Sequence, residues 1–417
     1  MNGAFEDTLH YTSPAHGGWG MVRIGMLVPE SVQLFVCPFA CGRHGAIGAM
    51  RQGFKDRLAY LYVDQNDIVR GYDDQIPGAV EELLDALPRR PRVVLIFLSC
   101  LDDLIGTDRE ALLEVLHGRF PDLRFRICHM NPISLDSKSP PPVTIRRRIY
   151  SLLEPSETKE TSVNSIGNLE AVAPECELHR VLEGLGAGEL RHISRCRTFG
   201  EFQRMASSRA NLVLAPTGVQ AAKDMERALG IPFLLLPVSY RIGEIEAGYR
   251  QLRDFLDPSG AEPDLSAERA AALVAVEAAL RAVGDRPVIV DASAVTRPFG
   301  LARALLEYGF SVRRVVAQKC IPIDRKSLDW LEENRPDVEL VQPQHHRAVR
   351  FEGRLAEALA IGVDGAYLAG AGHVVDLFAD GALFGFHGLR VLMERMRAAA
   401  EAETDLERLI ESYGLVV

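Results

Sequence analysis

The sequence has no surplus of positive charge and no long hydrophobic run. Its formal net charge is −10 over 417 residues, so it lacks the basic surface that would neutralise nucleic-acid phosphates. Its longest apolar runs, such as 233–238, are far shorter than the roughly 20 residues that cross a bilayer. The polar start at 1–12 lacks the charged and apolar segments of a signal peptide. We therefore expect a cytoplasmic protein with no nucleic-acid or membrane partner.

Several catalytic signatures are also missing from the sequence. No GxxxxGK[ST] segment occurs, so the chain should not hydrolyse ATP through a Walker loop. The HExxH, Gly-x-Ser-x-Gly and kinase patterns are absent as well. The glycine-rich stretch 184–188 follows a predicted helix and precedes a predicted strand, which is the reverse of the order in a dinucleotide-binding turn. We interpret it as a connecting loop.

The sequence does contain a regular alternation of apolar strands and amphipathic helices that starts three times. This alternation predicts parallel sheets flanked by helices, in an α/β fold that is too long for one core. We place the three units at 1–160, 161–284 and 285–417. The predicted strands of the first two units are 32–36, 58–63, 93–98, 125–129, 163–166, 190–193, 211–214 and 233–237. In the third unit we predict strands at 288–290, 312–316, 338–341 and 365–368, and helices at 301–308, 326–334 and 355–361.

Cysteines follow two of the predicted buried strands, at points where each strand is expected to give way to a loop. Cys37 and Cys41 come after 32–36, and Cys100 comes after 93–98. Because the carboxyl ends of parallel strands meet at one sheet edge, these thiols can converge. Thiolates are soft ligands for iron–sulfur clusters and zinc, although a cysteine is also a small apolar core residue. Three thiols leave one coordination position for a partner chain, a substrate or another side chain.

The residues around these cysteines add further expectations. We expect Gly42 and Gly106 to let the backbone approach the bound group closely. In the acidic stretch 101–108, Asp108 or Thr107 is expected to cap the next helix, at 109–116. The alternative is that Asp102 or Asp103 serves docking or proton relay.

The remaining cysteines show no ligand spacing. Seven cysteines, an odd number, make a disulfide framework improbable in a cytoplasmic chain. We interpret Cys128 and Cys320 as buried packing residues and assign no role to Cys176 and Cys196.

Segments spread over nearly the whole chain resemble nitrogenase component 1 and its relatives. Cys41-Gly42 after a buried strand, followed by Ser99-Cys100-x-x-x-Leu104-Ile105-Gly106-x-Asp108, is similar to the cluster-binding segments of that family. The segment 381–388, Gly-Ala-Leu-Phe-Gly-Phe-His-Gly, is similar to the family's closing motif before a helix. The segments 210–213 and 230–232 are similar to its second-domain pattern.

The resemblance implies three Rossmann-like domains, the first of which binds a cluster. It implies a homologous α-type subunit in a heterotetramer, or a homodimer, and an ATP-dependent iron protein that delivers electrons. On this basis Cys37, Cys41 and Cys100 are the expected ligands of an interface iron–sulfur cluster, either P-cluster-like or 4Fe–4S. A second complex iron–sulfur cofactor would be held mainly by the partner subunit.

The sequence also departs from the family pattern. The family's first cluster cysteine would fall at 13–16, where there is none, and Cys37 is an extra cysteine. The cysteine that anchors the nitrogenase cofactor in α subunits would fall near Ala215 and is absent. The resemblance therefore favours a β-type subunit. The candidates for residues near a substrate are His16, Arg43, His44 and His346.

These observations favour an enzyme subunit that passes electrons through the cluster to a substrate, with methylthio-alkanes as the expected class. Two alternatives within the family are a non-catalytic scaffold for cofactor assembly and a tetrapyrrole reductase subunit. Outside the family, a structural zinc site in an α/β binding protein would also account for the cysteines.

Overall fold

Three parallel β-sheets organise the chain in a computed structural model that describes residues 9, 11, 20–130 and 139–412. The predicted α/β class with three parallel-sheet domains is confirmed. The strands are β1 Ser31–Cys37, β2 Leu58–Tyr62, β3 Val93–Leu98, β4 Arg124–His129, β5 Val163–Ile166, β6 Leu190–Arg191, β7 Ala210–Val213, β8 Phe233–Leu235, β9 Val288–Asp291, β10 Val312–Val316, β11 Glu339–Val341, β12 Leu359–Ile361 and β13 His373–Val375.

Helices cover the faces of the sheets. Most follow the expected pattern of strand and helix in alternation. They are α1 Gly20–Met26, α2 Phe39–Arg51, α3 Gln65–Arg70, α4 Gln75–Ala86, α5 Leu101–Ile105, α6 Arg109–Arg119, α7 Pro141–Tyr150, α8 Glu177–Gly184, α9 Phe199–Gln203, α10 Val219–Leu229, α11 Ile242–Leu256, α12 Ser266–Val283, α13 Pro298–Glu307, α14 Arg325–Asn334, α15 Val363–Ala369, α16 Gly385–Glu401 and α17 Leu406–Ser412.

The first sheet has the order β2-β1-β3-β4, with β1 and β3 at its centre. Every residue of β1 and β3 is buried, because helices cover both faces of a parallel sheet. The pairing of β1 with β3 sets Val36 opposite Leu98, and the pairing of β3 with β4 sets Leu98 opposite His129. The ends of these three strands therefore lie side by side at one sheet edge.

The second sheet has the order β6-β5-β7-β8, and the third has the order β11-β10-β9-β12-β13. In the second sheet the buried amides of Asn164 and Asn211 bond to each other across β5 and β7 at 2.9 Å. This contact satisfies polar groups that would otherwise be costly to bury.

Two compact units divide the described chain. The thiol unit comprises 20–171 and 191–235 and contains the first sheet and most of the second. The C-terminal unit comprises 172–190 and 236–412 and contains the third sheet. Within the described residues, no helix combines the length and apolar character that a membrane crossing requires.

The structure corrects three predictions about local structure. The segment 355–361 was expected to be helical and 365–368 to be a strand, but β12 and α15 show the opposite order. Short apolar runs do not distinguish a buried strand from a buried helix, and β12 is fully buried beside β9. The segment after β1 was expected to be a loop, but α2 begins directly at Phe39. The stretch 184–188 is a connection from α8 to β6, as predicted.

Candidate metal centre

The three predicted ligand cysteines lie at the carboxyl edge of the first sheet. Cys37 is the last residue of β1, Cys41 lies in the first turn of α2, and Cys100 directly precedes α5. The backbone N–H of Ser99 donates to the carbonyl of Val36 at 3.2 Å, which holds the two strand ends together. The fold therefore brings the two cysteine segments to one place, although Cys41 and Cys100 are 59 positions apart in the sequence.

The thiols are close enough to influence one another electrostatically. Burial, followed by the neighbouring Cys41, raises the pKa of Cys37 to about 12. Burial, followed by Cys100, raises the pKa of Cys41. Cys41 thus interacts with both other thiols. Neighbouring thiols, one buried and two half-buried, suit a soft metal or an iron–sulfur group, because a bound cation replaces their protons and offsets the repulsion between thiolates.

Two positions beside the cysteines favour glycine because of local packing and backbone conformation. A Cβ on Gly42 would come within 2.5 Å of the Tyr60 ring, so this glycine lets α2 pack on β2. Gly106 has φ +76° and ends α5 in the left-handed conformation, with open space around its Cα. The expected approach of the backbone to a bound group at these glycines stays a prediction.

Aromatic side chains stand exposed beside the thiols. Phe39 is 56% exposed and Tyr62 is 53% exposed, and their rings meet edge to face at 6.4 Å. Tyr62 is the register partner of Cys37 in the pairing of β1 with β2. Exposed aromatic pairs are typical of surfaces that meet another protein.

A carboxylate–imidazole cluster lies at the same edge. Asp102 and Asp103 are in α5, and His129 is the last residue of β4. Each of the three offers one ligand atom, and these atoms lie within 4.8 Å of one another. The sequence reasoning considered both aspartates but missed His129, whose position follows only from the register of β4 beside β3. Asp108 caps α6 through the N–H groups of Glu110 and Ala111, as predicted.

The other candidate residues are dispersed. Arg43 is exposed and His44 half-buried on α2, close in sequence to Cys41. His346 is exposed in the C-terminal unit and stacks on His345 at 4.4 Å. His16 lies outside the described residues. The role of these four residues stays a prediction.

The remaining cysteines do not join the group. Cys128 is buried in β4, as predicted for a packing residue. Cys320 is only half-buried, in the connection after β10, so its interpretation as buried packing is wrong. Cys176 is buried, with its sulfur 3.5 Å from the Phe384 carbonyl, and Cys196 is half-buried, with its thiol directed to the His192 carbonyl.

The glycine at position 385, in the closing motif 381–388, is explained by its contacts in the C-terminal unit. The buried carboxylate of Glu177 accepts hydrogen bonds from the N–H groups of Phe386 and His387 and from the Tyr249 hydroxyl. It thereby caps the start of α16. Gly385 has φ +61°, and a Cβ there would overlap the Glu177 carboxylate and come within 2.5 Å of the Tyr249 oxygen. The position therefore requires glycine.

Comparison with known proteins decides the family. The family model of nitrogenase component 1 type oxidoreductases matches residues 18–401. The chain belongs to this family. Nitrogenase component 1 proteins bind iron–sulfur clusters, and they assemble from α- and β-type subunits that work with an iron protein.

Solved structures of nitrogenase component 1 share the fold. Nitrogenase Cp1 at pH 6.5 matches with a TM-score of 0.70 and 16% identity, over 95% of this chain and 94% of that chain. Nitrogenase Cp1 at pH 5 matches with a TM-score of 0.67 and 15% identity, over 96% and 89% respectively. No curated protein matches the sequence. At these identities the likeness establishes the fold alone.

Proposed function

We propose that this chain is the β-type subunit of a nitrogenase-like reductase, and that Cys37, Cys41 and Cys100 bind its iron–sulfur cluster. The observation that carries the proposal is the convergence of three thiols at one sheet edge. Family membership supports it, because nitrogenase component 1 proteins bind such clusters. The donor set contains only soft sulfur ligands, which fits an iron–sulfur group.

The protein residues control how the cluster is held. Cys37 is wholly buried, and its pKa of about 12 keeps the thiol protonated at neutral pH until iron replaces the proton. Cys41 and Cys100 are half-buried. With one buried ligand and two half-buried ligands, a bound cluster would be accessible from the protein surface.

A homologous α-type subunit is the partner that we propose for this surface, in a heterotetramer or, with an identical chain, in a homodimer. The three cysteines leave a ligand position open, and the exposed pair Phe39 and Tyr62 stands beside Cys37. Docking of a partner on these rings would cover apolar surface and exclude water from the thiols. Both effects favour a stable cluster at the interface.

When bound, an iron–sulfur cluster carries single electrons, here from an ATP-dependent iron protein toward the substrate. The absence of a Walker loop from this chain fits ATP hydrolysis on that separate protein. For the substrate we propose a methylthio-alkane. Its C–S bond would take two electrons and two protons and give an alkane and methanethiol.

One cavity of the thiol unit lies away from the thiols. A cavity of about 700 Å³ lies at the amino edge of the first sheet, where it is lined by residues such as Ser31, Arg57 and Pro91. The thiols lie at the opposite edge. We therefore propose that the substrate meets the site at the partner interface, where a thioether needs far less space than a tetrapyrrole.

Turnover of ethyl methyl sulfide tests this proposal. The complex with its partner and the iron protein, supplied with ATP and a low-potential reductant, should release methanethiol and ethane. Cys100→Ser should abolish release. The matched control Cys196→Ser, which alters a half-buried thiol outside the group, should preserve it. Absence of turnover together with transfer of the cluster to an acceptor protein would identify an assembly scaffold and contradict the proposal.

A further inference from the structure

The cluster of Asp102, Asp103 and His129 is separate from the thiols in its chemistry. Its ligand atoms are two carboxylate oxygens and one imidazole nitrogen, all within 4.8 Å of one another. Two of the residues lie on the first turn of α5, and the third ends the adjacent strand β4. The fold therefore presents the three donors from two elements toward one point.

Three polar atoms of this cluster, on Asp102 and His129, are buried without a partner in the described part of the chain. The Asp102 side chain has no exposed surface, and Arg109 Nε and Nη2 both contact the same oxygen, Oδ2, at 3.2 and 3.0 Å. Among the described residues, Asp102 Oδ1 and both ring nitrogens of His129 are buried with no hydrogen-bond partner. A buried polar atom left without a partner carries a free-energy cost. A ligand that accepts electron pairs from these atoms would remove this cost.

The donor atoms of the cluster suit a metal ion. Carboxylate oxygens and an imidazole nitrogen each have a lone pair that can be donated to a cation. Mixed oxygen and imidazole donors are typical of divalent first-row metals such as Mn²⁺, Fe²⁺ and Zn²⁺.

We propose that Asp102, Asp103 and His129 bind one divalent first-row transition-metal ion at a site separate from the three thiols. Arg109 occupies the outer side of this site. Its side chain is 40% exposed, so it can move into solvent when a cation replaces it. The proposal does not depend on the iron–sulfur assignment, because no thiol takes part.

Binding of Mn²⁺ to the purified protein with its iron–sulfur content intact tests the site. Mn²⁺ prefers oxygen and imidazole to thiolate, and the free ion is counted by its electron paramagnetic resonance signal. We expect one saturable Mn²⁺ per chain. His129→Gln should weaken Mn²⁺ binding at least tenfold. Asp103→Asn, which alters the exposed carboxylate of the cluster, should weaken it at least tenfold as well. Arg109→Gln should tighten binding, because it removes the competing cation.

Glu110→Gln is the matched control, since it removes an exposed carboxylate next to Arg109 that is outside the cluster. Its Mn²⁺ affinity should equal that of the unaltered protein. A circular dichroism spectrum equal to that of the unaltered protein will show that each variant is folded. Absence of saturable binding, or equal affinity in His129→Gln and Glu110→Gln, would overturn the proposal. A site lost only when a cysteine is replaced would also overturn it, since the thiols would then be the ligands.

Discussion

Gly385→Ala should destabilise the protein, at the start of α16, far more than the replacement of another glycine that has a similar backbone conformation. Gly385 has φ +61°, and Gly370, in the same unit, has φ +64°. The left-handed conformation costs an L-residue about 1–2 kcal/mol at either position. Gly370 has open space where its Cβ would be placed, so Gly370→Ala should cost only this amount.

Gly385→Ala carries an additional cost because the new methyl group would displace the Glu177 carboxylate. That carboxylate accepts N–H bonds of 2.6 and 3.0 Å and a hydroxyl bond of 2.7 Å. A hydrogen bond to a charged group contributes about 1.5–3 kcal/mol. If two of the three bonds are lost, the cost is roughly 3–6 kcal/mol above that of Gly370→Ala.

Hydrogen–deuterium exchange of the segment 384–395 measures this effect locally, and urea unfolding measures it for the whole chain. The N-terminal amides of α16 should exchange much faster in Gly385→Ala than in Gly370→Ala. Equal exchange and equal urea midpoints in the two variants would show that Glu177 does not cap this helix and would refute the reasoning.

Three other predictions follow from the site and the core. Phe39→Asp should abolish assembly with the partner in size-exclusion chromatography and preserve the circular dichroism spectrum; a retained complex would exclude this surface as the interface. In metal-free protein at pH 8, iodoacetamide should modify the wholly buried Cys37 at least 100-fold more slowly than the half-buried Cys100; similar rates by mass spectrometry would contradict the assigned burial. Burial, followed by the charge of Asp364, raises the pKa of Asp291 from 3.8 to about 7. Between these pH values the folded chain holds a proton that the unfolded chain has lost. The free energy of unfolding should therefore fall as the pH rises from 3.8 to about 7. Asp364→Asn should flatten that fall in urea midpoints at pH 5 and pH 8, whereas an unchanged slope would exclude the pair as its cause.

The part of the fold that could be predicted from sequence is the part with strong local signals. The run Val93–Leu98 is apolar throughout, and a central parallel strand requires this pattern. The rule that carboxyl ends of parallel strands share an edge then placed Cys37 beside Cys100 without knowledge of any distance.

The rest depends on tertiary packing that local patterns do not encode. The three-residue strand β12 is too short for its period to be recognised, so the assignments of 355–361 and 365–368 were inverted. Gly42 is determined by the Tyr60 ring on another element, and His129 joins the aspartates only through strand register. Each of these residues has its reason in a contact distant in sequence.

Iron and acid-labile sulfide per chain, measured in anaerobically purified protein, test the central claim most directly. Cys41 is the residue to replace, because its thiol interacts with both of the others. Cys196→Ser should contain as much iron and as much sulfide per chain as the unaltered protein. Cys41→Ser should lose most of both. Full iron and sulfide in Cys41→Ser, or stoichiometric zinc without iron in the unaltered protein, would contradict the assignment of these thiols as ligands of an iron–sulfur cluster.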